Sequence, residues 1–320
     1  MESGIRSMKI VVSYLGYPLT MATWFIRALQ RRKDVELTRV APYTGTWIPW
    51  SKPDTDPRLG MNVSSKYLDP PEIALPQSMA NIHLHPQMLV DKLPKDIDLW
   101  LQIDAGWHLS VRPPAKIVAL IETDPHVLKR WYDLPKSYSD FTFCMQSNYM
   151  EKDEIYLPYA YDPTVHYPIK TLYPHEKEYD VCLVGLLYPQ RAALINKLRS
   201  DGLSVFYDIG LIFDDYNEVY NKSRIALSWS TLDDLPARVW EGMAMGLPVV
   251  TNRVPDLKHF FVEDEDYIGF DDLEEARWQV LRLTRNSLLE SLIGDHGKET
   301  VEPHTYDARI QTILETVGLL

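Results

Sequence analysis

Along most of this chain, short apolar β-rich runs alternate with segments of helical periodicity, and no other feature restricts the possible folds as much. "MKIVVSY" (Met8 to Tyr14) is such a run, "LTMATWFIRALQRRKD" after it has helical spacing with Thr20 as N-cap, and "VELTRVAP" returns to strand. A parallel strand pair needs a helical crossover, so this β-loop-α-β order predicts the start of a Rossmann-like unit. Strand-like runs recur at "DIDLWLQID", "AKIVALIET", "FTFCMQS" and "EIYLPYA". A second series begins with the strand "YDVCLVGL", the helix "PQRAALINKLRSDG" and the strand "LSVFYDIG". It continues with the helix "DDYNEVYNKS", the strand "RIALSWS" and the helix-strand stretch "ARVWEGMAMGLPVVTN", and from Leu273 onward the pattern is almost all helical. The fold class is therefore α/β, with parallel sheets covered on both faces.

At 320 residues the chain exceeds the roughly 250 to 300 residues that one core supports, so two domains are expected. The first spans 1–165, a Pro- and Tyr-rich linker 166–178, the second domain 179–305, and a final helical segment 306–320. Met1 to Ser7 reads as a leader ahead of the first strand. Between Pro42 and Ala80 periodicity is lost and Pro, Gly and Ser are frequent, which predicts a long loop, either a flap beside a binding cleft or a surface insertion.

A formal charge of −12 disfavours nucleic acid as a partner. Arg27, Arg31, Arg32 and Lys33 fall where the first helix ends and complement its dipole as a solvated cap. The acidic run Glu263 to Asp266 is expected as a solvated turn. Cys144 and Cys182 lie in separate apolar runs, which signals neither a disulfide framework nor zinc and fits a reducing cytoplasm. No apolar run approaches the roughly 18 residues needed to span a bilayer.

Open parallel sheets bind ligands beyond the carboxyl ends of their strands, so the loops there are searched for chemistry. "GLLYPQR" enters a helix with Arg191 in its first turn, an unfavourable place for a cation unless an anion is bound, and Gly185 lets backbone approach that anion. A surface Arg paired with a carboxylate is the plain alternative. "TLDDLPARVWEG" carries Asp233, Asp234, Arg238 and Glu241 after the strand that ends at Ser230. Arg238 suits a phosphate and Glu241 two adjacent ribose hydroxyls, although the two would also make a surface ion pair. Tyr207 in "YDIG" is a candidate contact to a base. In the first domain Asp104, Asp124 and His126 follow strands and are candidates to deprotonate an acceptor hydroxyl, against a plain role as turn formers.

"DVCLVGLLYPQRAALINKL", "YNEVYNKSRIALSWS", "ARVWEGMAMGLPVVTNRVPDLKHFF" and "PHTYDARIQTIL" resemble the C-terminal half of the CgeB-like (spore-maturation type) glycosyltransferases of the GT-B superfamily. "ETDPH" and "YLPYAYDPTVHYP" are similar to the matching N-domain and linker segments. The likeness is specific over Asp180 to Leu320 and looser over Asp96 to Pro168. It implies two Rossmann-like domains facing across a cleft, with a nucleotide-sugar donor on the second, an acceptor of unknown identity on the first, and a C-terminal helix crossing back to the first domain. Glu241 then matches the second carboxylate of a Glu-x7-Glu pattern, and Asp233 stands in place of the first Glu.

The expected chemistry is metal-independent glycosyl transfer, without a cofactor, the diphosphate leaving group stabilised by Arg side chains and helix N-termini. A metal-dependent alternative would use an Asp-x-Asp pair, with candidates Asp54 and Asp56, Asp96 and Asp98, or Asp264 and Asp266. The remaining alternatives are a non-catalytic nucleotide-sugar-binding or coat-associated protein, and a nucleotide-sugar epimerase.

Overall fold

The computed structural model describes residues 7–49, 60–79, 83–169 and 176–320. Met1 to Arg6 of the expected leader, Asp54 with Asp56, and positions 170–175 of the expected linker lie outside them. The chain divides into two compact units, one made of Met1–Pro158 with Tyr306–Leu320, the other of Tyr159–Thr305. Residues 159–165 group with the second unit. Among the described residues no helix is long and apolar enough to cross a membrane.

In the first unit the elements are β1 (Met8–Ser13), α1 (Met21–Arg31), β2 (Val35–Pro42), β3 (Trp47–Pro49), β4 (Gly60–Asn62), β5 (Ile73–Leu75), β6 (His83–Leu84), β7 (Ile97–Ile103), β8 (His108–Leu109), β9 (Ala115–Glu122), α2 (Pro125–Lys136), β10 (Phe141–Cys144) and β11 (Ile155–Tyr156). Seven of the strands form one sheet in the order β11-β10-β9-β7-β1-β2-β5, parallel at every pairing. Every residue of the central strand β7 is buried, as expected where helices and loops cover both faces. Val11, Val40, Trp100 and Val118 lead the core on one side.

The described parts of the stretch from Pro42 to Ala80 are more structured than a loop. β5 adds to the sheet beside β2, and β3 pairs antiparallel with β4. Buried Arg39 gathers the return of the chain, binding Asp69 at 2.6 Å and Glu72 at 2.8 Å and donating its backbone N–H to Glu72. Three-residue strands carry too little alternation to be seen in sequence.

α8 (Tyr306–Thr316) belongs to this unit and packs on α1. Tyr306 lies edge-on to Phe25 and stacks near Trp24. Arg31 grips Asp307 through two hydrogen bonds and Arg32 donates to Gln311, so the basic end of α1 is a docking point rather than only a solvated cap.

The second unit contains β12 (Tyr179–Val184), α3 (Pro189–Ser200), β13 (Val205–Asp208), α4 (Phe213–Asn221), β14 (Ser223–Ser228), α5 (Ala237–Ala244), β15 (Val249–Asn252), β16 (Ile268–Phe270), α6 (Leu273–Thr284) and α7 (Ser287–Val301). Its sheet runs β13-β12-β14-β15-β16, again parallel throughout. Val181, Leu183, Ile225, Leu227 and Val250 fill its core. The acidic run is a bonded turn rather than a merely solvated one. Buried Asp266 accepts from the Val262 N–H and the Thr300 hydroxyl, Glu263 pairs with Arg253, and Asp264 pairs with Arg282.

Candidate functional site

α5 is short, and tight packing fixes it in place. Val239, Trp240, Met243 and Ala244 are buried, and a Cβ on Gly242 would stand 3.0 Å from the Ala226 Cβ and 3.1 Å from the Val249 Cγ2. The helix therefore lies directly on β14 and β15. Pro236 precedes it with no side-chain cap, and no acidic residue sits in its first turn, so its first N–H groups are open to an anion.

Arg238 in that first turn and Glu241 a turn later do not pair. Among the described residues Arg238 makes no ion pair, and its Nε is buried without a hydrogen-bond partner. Its Nη2 stands 2.6 Å from the point where a Cβ on Gly185 would be, and Gly185 has φ 139°, so any side chain there would be both strained and in collision. Arg191 lies on the other flank of Gly185, its Nη1 4.0 Å from the same point.

Arg191 is no surface residue. Its guanidinium donates to the Trp229 carbonyl through Nε (2.9 Å) and Nη2 (2.5 Å), and to the Leu186 carbonyl through Nη1 (2.8 Å). It also lies over the Tyr188 ring. Burial, then the charge of Arg238, pulls its pKa down to about 10, so it remains a cation at neutral pH. It ties together the chain beyond the ends of β12 and β14 and places a buried positive charge beside Gly185. Tyr207 is half-buried, its pKa raised by burial and opposed by the nearby Arg191 charge.

Ser230 is committed to its turn. Its hydroxyl donates to the Asp234 carboxylate and accepts from the N–H groups of Leu232 and Asp234, while its backbone is bridged by the Asn252 amide. Asp233 is exposed and adopts φ 56°, a left-handed conformation that Asp tolerates better than most residues.

Glu241 is 8% exposed. The Tyr216 hydroxyl donates to its Oε2 at 2.7 Å, and His166 Nε2 stands 3.8 Å from its Oε1. Burial, then the Glu241 charge, holds the Tyr216 phenol well above its usual range, so it remains a donor. Tyr216 stacks on Tyr220, and His166 meets Tyr216 edge-on. His166 and Tyr216 adjoin the candidate residue Glu241, and the sequence pattern does not single them out. The spacing of two tyrosines by four in "DDYNEVYN" is the one available signal for Tyr216.

In the first unit Asp104, just past β7, takes φ 66° and accepts from the Tyr132 hydroxyl (2.8 Å) and the Ala105 N–H (2.7 Å). Burial pushes its carboxyl pKa up. Asp124 occupies the N-cap position of α2, and its backbone N–H lies 3.4 Å from the same Tyr132 hydroxyl. Tyr132, absent from the sequence candidates, thus connects Asp104 with Asp124. His126, in the first turn of α2, faces the Tyr149 ring.

Among the described residues, Glu122, Cys144 and Glu154 are close enough to share an ion. The Lys136 ammonium already sits against both carboxylates, 2.8 Å from Glu122 and 2.5 Å from Glu154. Of the described Asp-x-Asp pairs, Asp98 is bound by Lys116 and by the Lys9 N–H, and Asp264 and Asp266 hold the turn described above.

Residues 171–315 match a family model described as "Glycosyl transferase-like". No curated protein matches the sequence significantly. Solved structures similar over nearly the whole chain include the N-terminal domain of trehalose-6-phosphate phosphatase from Candida albicans, with TM-score 0.65, 11% identity, and coverage of 97% of this chain and 96% of that one. Anabaena HepE, in complex with UDP and glucose, gives TM-score 0.61 at 11% identity over 98% of this chain and 100% of that one. Sucrose-phosphate synthase from Thermosynechococcus elongatus gives 0.60 at 12% identity over 98% and 99%. Residues 171–315 are thus similar to the glycosyl transferase-like family, and the chain shares over nearly its whole length the fold of these solved structures.

Proposed function

We propose that the protein is a GT-B glycosyltransferase that transfers a sugar from a nucleotide-sugar donor to an acceptor hydroxyl without needing a metal ion, and that it stands with the CgeB-like enzymes of the cytoplasm. The observation that supports this most is the pairing, around Gly185, of two guanidinium groups that form no ion pair among the described residues, next to the buried carboxylate of Glu241. When the bond from the anomeric carbon to the diphosphate oxygen breaks, negative charge grows on the leaving group. Arg238 and the open N–H groups beginning α3 and α5 are suited to meet it, with Arg191 adding charge from behind. Glu241 accepts from the ribose hydroxyls. We assign removal of the acceptor proton to one of Asp104, Asp124 and His126, which follow the strands β7 and β9 of the first unit.

UDP, the nucleotide in the HepE complex, is the first probe. Calorimetry in a buffer containing chelator is expected to show saturable UDP binding. Arg238→Ala and Glu241→Ala should each weaken it by roughly 10- to 100-fold, the loss of a hydrogen bond to a charged group. Wild-type protein that binds no nucleoside diphosphate at millimolar concentration overturns the proposal. Asp233, one methylene shorter than the Glu expected there, favours a second reading, binding without transfer. A nucleotide sugar that is bound but never consumed, with any acceptor, decides for that reading.

A further inference from the structure

The proposed ribose contact depends on a carboxylate whose two oxygens are each faced by one protein donor. Tyr216 donates to Oε2 at 2.7 Å. Facing Oε1 is His166 Nε2, and the other ring nitrogen determines its state. His166 Nδ1 accepts the Asp162 backbone N–H at 3.1 Å, so in the neutral ring the proton resides on Nε2. At 3.8 Å this N–H falls short of a hydrogen bond with Oε1 and acts on it as an oriented dipole. His166 is 2% exposed, too covered to touch a ligand itself.

The histidine is also held in register with Tyr216. Asn221 at the end of α4, the helix that carries Tyr216, accepts the Ile169 N–H through Oδ1 at 2.7 Å and donates to the Tyr167 carbonyl at 3.1 Å. The segment presenting His166 is thereby fastened to the helix presenting the second donor, and the His166 and Tyr216 rings meet edge-on 5.8 Å apart.

We infer that His166 is a positioning residue for Glu241. With Tyr216 it fixes the carboxylate plane so that the remaining lone pairs meet the vicinal hydroxyls of a ribose, and it thereby sets the preference for ribonucleotides over deoxy analogues. This rests on the proposed function, since it needs Glu241 to be the ribose acceptor.

Two conservative variants separate positioning from a merely structural role. His166→Asn keeps an acceptor for the Asp162 N–H and removes the donor facing Glu241. His166→Gln keeps a donor at the Nε2 position and removes the acceptor. Calorimetry with UDP and with 2′,3′-dideoxy-UDP is expected to show a wild-type preference for UDP of roughly tenfold or more, the scale of a hydrogen bond to a charged group. His166→Asn should lose most of that preference and His166→Gln should keep it. His166→Asn placed on Glu241→Gln should cost nothing further.

If His166→Asn retains the preference while His166→Gln loses affinity for both nucleotides alike, His166 only holds its turn and the inference is overturned. If the losses from His166→Asn and Glu241→Gln simply add, it is overturned as well. Wild-type protein that binds neither nucleotide removes the proposed function itself, a result distinct from both.

Discussion

The His108 ring is 2% exposed and faces His83 across the short β6–β8 pairing, with its Nδ1 buried and without a hydrogen-bond partner among the described residues. Burial, then the neighbouring His83, lowers its pKa to about 4 from the usual 6.5. Unfolding releases this ring to take up a proton, so its contribution is fully present above pH 6.5 and is lost as pH falls through 4. It amounts to about 3 kcal/mol at most, since each tenfold change in proton affinity is worth about 1.4 kcal/mol. Glu122 works in the opposite sense, because burial raises its carboxyl to about 7 and its contribution fades as pH rises from 4.5 toward that value. The two partly cancel between pH 4.5 and 6.5, so the test is a difference. Denaturant unfolding of wild type and His108→Leu at several pH values should show the variant gaining relative to wild type on acidification from 6.5 to 4. Parallel curves would show that His108 takes up its proton as readily in the folded protein as in the unfolded chain. Residues such as Gly185, Arg238 and Glu241 are legible as candidates in the sequence because the cue is local, a glycine after a strand or a charge in the opening turns of a helix. His166, Tyr216 and Tyr132 are not, since each acts on a group that only the fold brings near, and a buried polar ring leaves no periodic trace.

Elements carry the same division. The long strands and helices were readable because each repeats its period several times, whereas β3, β4 and β5 are too short to repeat it. α5 was legible as a helix, but not how closely it lies on its sheet. Gly242 ordinarily costs a helix up to about 1 kcal/mol relative to alanine, so substitution would help if space allowed. The methyls of Ala226 and Val249 at 3.0 and 3.1 Å from an added Cβ reverse that sign for anything larger. Gly242→Val is expected to destabilise by about 1–3 kcal/mol, the range for overpacking, and to weaken UDP binding as α5 lifts with Arg238 and Glu241. Chemical denaturation alongside calorimetry checks both. A variant of unchanged stability and affinity would show that α5 has room to shift.

On the scale of the molecule, the alternating pattern was enough to indicate two α/β units, but the place where the chain passes from one to the other was not, because Tyr159 to Val165 differ little in composition from the residues before them. α8 was placed by resemblance, and its docking now has a physical account in Tyr306, Ile310, Ile313 and Leu314, all within 1% of full burial. A chain ending at residue 305 exposes the facing side of α1. Each lost large apolar contact costs about 1.5–3 kcal/mol, enough together to exhaust the stability of an ordinary domain. The truncated chain should lose the folded first unit by proteolysis and hydrogen exchange while residues 159–305 keep their protection, and a first unit that stays protected would show that α8 is dispensable.

The first unit is thus sewn from both ends of the sequence, while the second is one uninterrupted span. On the ribosome the later span is therefore the earlier one to be complete. Trp24 and Phe25 emerge well before Tyr306 and await it, so until then the first unit is the part that most needs protection from aggregation.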